Sequence, residues 1–106
     1  MKKYNLTIGN VYTSYGEIEI NGYTRFLILN DDGIPSFYPK PLFEIIDDCF
    51  PLDWNTVFFS GINCNIKVRS GFVDSYRVIV DLITENNIMI GQFRQYIYNN
   101  SFFYDE

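Results

Sequence analysis

"EIEINGYTRFLILN", Glu17 to Asn30, is the stretch whose reading decides the fold. Asn21-Gly22 is a strong two-residue hairpin signal, because both residue types tolerate the positive φ of a type I′ turn. Before it, Glu17 and Glu19 alternate with Ile18 and Ile20, the pattern of a strand with one face buried. After it, "RFLIL" is apolar on both faces, as in a strand covered on both sides. A strict two-residue loop would set Arg25 on the face of Ile18, so the register predicts a longer or bulged turn. Upstream, "IGNVYTSY" (Ile8–Tyr15) reads as a further strand.

Downstream, "DDG" (Asp31–Gly33) ends the hairpin, and Pro35 to Pro39 should be extended, since proline and its predecessor avoid helical angles. The next stretch, "FYPKPLFEIIDDCFPLDW" (Phe37–Trp54), mixes prolines, acids and bulky apolar residues. Pro41 suits the first turn of a helix and Pro51 would stop it. Leu42, Ile45, Ile46 and Cys49 fall at helical spacing, so one inward stripe is expected. "DWNTVFFSGINCNIKVRSG" reads as a second hairpin turning at Ser60-Gly61, with Ile62, Cys64, Ile66 and Val68 on one face.

The C-terminal third carries two competing periods. In "DSYRVIVDLITENN" the β-branched residues favour a strand, yet Val73, Tyr76, Val80 and Ile83 also fit one helical face. Asp74 or Ser75 would cap that helix. "NNIMIGQFRQYIYNN" is bracketed by Asn pairs that can cap a helix, with Met89, Phe93 and Tyr96, or Ile90, Phe93 and Ile97, as its stripe. The expectation is a single α+β domain over residues 1–106. It has a small antiparallel sheet of hairpins, a short central helix and C-terminal helices. The alternative is a small all-β barrel or sandwich in which "VIVDLITENNIMIGQF" makes a third hairpin.

Composition bounds the function. At 47% hydrophobic and 19% aromatic, the 106-residue chain can fill one core. Two cysteines, Cys49 and Cys64, fit no metal spacing or disulfide framework and read as reduced thiols. No apolar run reaches membrane-spanning length and "MKKYNLTIGN" lacks a secretory h-region, so a cytoplasmic location is expected. A formal charge of −5 argues against nucleic acid and anionic membranes as partners.

Histidine is absent, which removes the commonest general acid–base and metal ligand. No phosphate-loop, dinucleotide, nucleophile-elbow or zinc motif occurs. The chain is therefore read as not an enzyme, without cofactor or metal. Lys67 and Arg69 share a strand face with Asn63 and Asn65, a weak likeness to a single-strand platform that the net charge opposes.

What remains is binding. Asp31, Asp32, Glu44, Asp47, Asp48 and Asp53 crowd the middle of the chain with only Lys40 against them. Tyr38, Phe43, Phe50 and Trp54 lie among these acids, and aromatics with steering charges are interface chemistry. The candidate partner-binding residues are Asp31, Asp32, Tyr38, Glu44, Asp47, Asp48, Asp53 and Trp54. The same residues also fit a simpler arrangement, aromatics in the core and acids at its rim.

In its small, acidic, aromatic-rich, histidine-free character, and in the segment "FYPKPLFEIID...P.DW", the chain resembles the immunity proteins of bacterial toxin systems, including contact-dependent growth inhibition. The resemblance implies a protein that binds a cognate basic toxin domain, often a nuclease, and covers its active site. The alternative is a non-catalytic phage or bacterial accessory module acting by oligomerisation or small-ligand binding. The oligomeric state is left open.

Overall fold

Asn21 and Gly22 take φ values of 49° and 89°, and they join β1 (Ser14–Ile20) to β2 (Tyr23–Leu29). In this computed structural model, which describes residues 5–46, 54–61 and 64–101, the turn is the tight two-residue form. Ile18 stands opposite Arg25, the pairing that a longer turn was expected to avoid. Arg25 is accommodated because it is exposed at the hairpin end. The irregularity lies at the other end of β1, between Ser14 and Glu17.

Gly16 pairs with Ser70, and a Cβ on Gly16 would sit 2.9 Å from the Ser70 hydroxyl. Buried Ser70 donates to the Tyr15 carbonyl at 2.7 Å and accepts from the Phe72 and Val73 amides. One hydroxyl thus ties the bulge to the chain's exit from the sheet.

The sheet continues with β3 (Pro35–Pro39), β4 (Asn55–Gly61) and β5 (Cys64–Ser70). All pairings are antiparallel and the order is β3-β2-β1-β5-β4. The second hairpin pairs Ser60 with Asn65 and Gly61 with Cys64, so Ser60-Gly61 ends β4 rather than making the turn. Residues Ile8 to Thr13 form no strand. Instead Leu6 and Tyr12 fold against β2 and β3.

Two helices follow β5, α1 (Tyr76–Ile83) and α2 (Asn87–Ser101), so the helical period prevails over the β-branched one. The Ser75 hydroxyl caps α1 by accepting from the Val78 amide, and the Asn86 carboxamide caps α2 by accepting from the Ile88 and Met89 amides. The buried side of α1 is Ile79 and Leu82, with Val73 just before it, whereas Tyr76 and Ile83 are exposed. The expected stripe was therefore rotated. The Ser70-anchored turn into α1 sets the angle at which the helix meets the sheet, which periodicity alone does not carry. On α2, Ile90 and Phe93 are buried while Met89 and Ile97 pack beside them, so both expected stripes contribute.

The main core lies between the helices and one face of the sheet: Ile18, Leu27, Ile66, Val68, Val73, Ile79, Leu82 and Phe93. Phe93, at 0% exposure, meets Tyr15 and Phe72 edge-on, with ring centroids 5.4 and 5.1 Å away. Arg94, the next residue, donates to the Gly33 carbonyl at 2.7 Å and joins α2 to the β2–β3 turn.

A candidate binding surface around Pro39–Ile46

The reverse face of the sheet is unlike the first. One rung crosses all five strands: Tyr38, Phe26, Glu17, Arg69 and Thr56 stand side by side. The next sets Thr24, Glu19, Lys67 and Phe58 in line. Lys67 and Arg69 thus lie opposite acids rather than forming a basic stripe, and opposite charges in register contribute about 0.2–1 kcal/mol each. Over β2 and β3 this face is apolar, a small cluster of Phe26, Ile28 and Tyr38 roofed by Leu6, Tyr12 and Phe43.

Phe43 controls what the Pro-rich segment does. A single 3-10 turn, Lys40–Leu42, follows β3, closed by the Phe43 amide on the Lys40 carbonyl at 3.0 Å. Phe43 then adopts extended angles, φ −122° and ψ 147°, and its ring packs on Phe26 with centroids 5.8 Å apart. The helix expected from Pro41 does not form across Phe43–Ile46. Among the described residues its stripe, Leu42, Ile45 and Ile46, meets no core, because α1 and α2 already fill the other side of the sheet. Leu42, Ile45 and Ile46 consequently stand in solvent at 45, 46 and 77% exposure. Large apolar side chains left outside in one short run are the informative exception among surface residues.

Beside this run lies a shallow groove of ≈ 590 Å³, lined by Tyr23, Thr24, Arg25, Pro39, Phe43 and Ile45 among others. Arg25 and Lys40 are exposed on its rim, and Glu44 is exposed next to the apolar run. The surface is therefore apolar in the middle and charged with both signs around it.

The expected partner residues are distributed as follows. Tyr38 is buried at 6% exposure, its hydroxyl accepting from the Asn30 side chain at 3.1 Å. It is part of the core. Asp31 is exposed but accepts from the Thr7 hydroxyl at 2.6 Å and the Tyr12 hydroxyl at 2.7 Å. It fastens the N-terminal segment to the β2–β3 turn, where Asp32 is also exposed. Glu44 sits beyond the far end of β3, separated along the chain from those acids by all five residues of that strand. Trp54 enters β4 at the opposite side of the sheet, where its indole approaches Gly71 beside the Tyr96 hydroxyl. Asp47, Asp48 and Asp53, like Cys49, lie outside the described residues.

Of these residues the described structure leaves Glu44 beside the groove. Sequence reasoning missed Tyr23, Arg25, Pro39 and Lys40, and it assigned Leu42, Ile45 and Ile46 to the core. The awkward register of Arg25 was the available signal, since a cation forced onto an apolar face marks where that face ends. Among the described residues no group of three or more His, Cys, Asp or Glu gathers as metal ligands. No helix among them is long and apolar enough to cross a membrane. The fold and this surface describe a small α+β protein with an apolar run exposed beside one end of its sheet. Comparison with protein-family models, curated proteins and solved structures finds no match in any of the three.

Proposed function

We propose that this chain is a non-enzymatic immunity or inhibitor protein that acts in the cytoplasm, binding a cognate basic toxin domain and occluding its active site. The observation that carries this reading is the exposed run Leu42, Ile45 and Ile46 with Glu44 inside it. It leads directly into Asp47 and Asp48 in sequence. The apolar side chains supply the part of an interface that excludes water, and the acids after them steer a basic partner. Arg25 and Lys40 on the groove rim fix orientation by meeting acidic groups at the partner's periphery. Asp31 and Tyr38 support the fold and leave the binding surface to this run.

Co-expression with the products of the genes flanking its own, screened for toxicity, tests the proposal. The wild-type chain is expected to restore growth, and Ile46→Asp with Glu44→Lys to abolish rescue while the circular-dichroism melt stays unchanged. Full rescue by that double variant would sink this surface. Rescue by no form of the chain would sink the immunity reading itself.

A further inference from the structure

The two edges of the sheet are unlike. β3, at one edge, begins with Pro35 and ends with Pro39, and proline offers no N–H to an incoming strand. β4, at the other edge, reads Asn-Thr-Val-Phe-Phe-Ser-Gly without a proline or a charge. Natural edge strands usually carry a lysine, a proline or a bulge against unwanted pairing. β4 has no lysine or proline, and its register with β5 runs unbroken from Asn55 to Gly61. At its centre Phe58 is 70% exposed.

We infer that β4 is a self-association edge that pairs antiparallel with β4 of a second copy across a two-fold axis at Phe58. The strand is self-complementary about that residue. Thr56 meets Ser60 of the second copy, hydroxyl to hydroxyl. Val57 meets Phe59 of the second copy on the helix-covered side. Phe58 meets its own counterpart on the reverse face, covering the most exposed ring of the strand. Cross-strand pairs of these kinds are the unit of sheet stabilisation.

The symmetry of the strand about Phe58 favours a second copy over an unrelated extended peptide, and charge does not oppose it at the seam. Each copy carries −5, yet the seven residues that would meet are uncharged, so pairing sets no like charges directly opposite. On the reverse face the neighbouring strand supplies Lys67 and Arg69, which moderates the repulsion between the two acidic bodies. The product is a continuous ten-stranded antiparallel sheet with β3 at both outer edges. Seven residues a side fall short of the ~20–30 of a stable interface, so the dimer is weak and concentration-dependent. The Leu42–Ile46 run is a separate surface and stays free.

Sedimentation equilibrium of the full chain, with amide hydrogen exchange across the same concentrations, tests this. Expected is a monomer–dimer equilibrium developing between about 10 µM and 1 mM, with alternate β4 amides gaining protection as dimer accumulates. Phe58→Glu is the discriminating variant. In the monomer the new carboxylate faces Lys67, its registered partner, so folding is kept. In the dimer two carboxylates meet at the axis, and association should fall about tenfold or more. A wild-type chain still monomeric at about 1 mM overturns the inference, as does a dimer that Phe58→Glu leaves intact. If Phe58→Glu does not fold, the wild-type exchange decides alone: β4 protection independent of concentration overturns the proposal.

Discussion

The two faces of this sheet are finished differently. The helix-covered face is closed by two helices laid over Ile18, Leu27, Ile66 and Val68, with Phe93 at the centre. Among the described residues, the reverse face is closed only over β2 and β3, by irregular segments that each contribute one or two side chains. Regular elements bury many residues together, whereas each loop residue must bring its own anchor. Stability should therefore concentrate on the helix side, leaving the reverse side able to carry exposed apolar residues near its roof.

Truncations across both faces test that contrast. Phe93→Ala empties the centre of the aromatic cluster and is expected to destabilise by about 3–5 kcal/mol, read from denaturant midpoints. Removing the bulge hydroxyl with Ser70→Ala leaves the Tyr15 carbonyl and two amides without their partner. About 1–3 kcal/mol should be lost. On the reverse face, Phe43→Ala removes a half-buried ring and should cost about 1–2 kcal/mol. A loss equal to that of Phe93→Ala would end the contrast between the faces. Ile46→Asp, at a side chain in solvent, should stay within about 0.5 kcal/mol of wild type.

The smallest effect is a pH dependence. Burial raises the Tyr15 phenol above its ordinary 10.0, and a hydrogen bond with Thr13 opposes the rise. The folded state therefore holds this proton to higher pH than the unfolded chain does. Stability contributed by neutral Tyr15 is full below pH 10.0 and is lost as pH rises from there through the raised folded value. Tyr15→Phe keeps the ring against Phe93, and its melting temperature should fall less steeply than wild type on the alkaline side.

Much of the architecture was legible because it rests on short-range rules. Asn21-Gly22 fixed one hairpin, and the alternation of Ile66 and Val68 with Lys67 and Arg69 gave β5 its faces. Asn86 and Ser75 marked the helix starts. What failed depended on which surface was already occupied. Leu42, Ile45 and Ile46 have a valid helical stripe, but no uncovered core remains for it, and Phe43 holds the backbone extended. Tyr38 and Asp31 looked like contact residues because their partners, Asn30, Thr7 and Tyr12, are assembled only by the fold. Arg25 shows the converse: the two-residue turn does put it on the face of Ile18, and the exposed hairpin end lets it stay there.

The strand order also sets a schedule for synthesis. The central strand β1 pairs with β2 at once, but its other neighbour, β5, ends at Ser70, ~50 residues after Ile20. At ~5–20 residues per second that interval is about 3–10 s. Once Pro39 has been added, the emerging chain holds the three strands of a β1-β2-β3 meander, with the other edge of β1 awaiting β5 and Ile18 awaiting the helices. Glu17 and Glu19 stand on the reverse face of that bare strand, alternating with the isoleucines. Besides meeting Arg69 and Lys67 in the finished protein, they place charge where the nascent chain is most open to pairing with another.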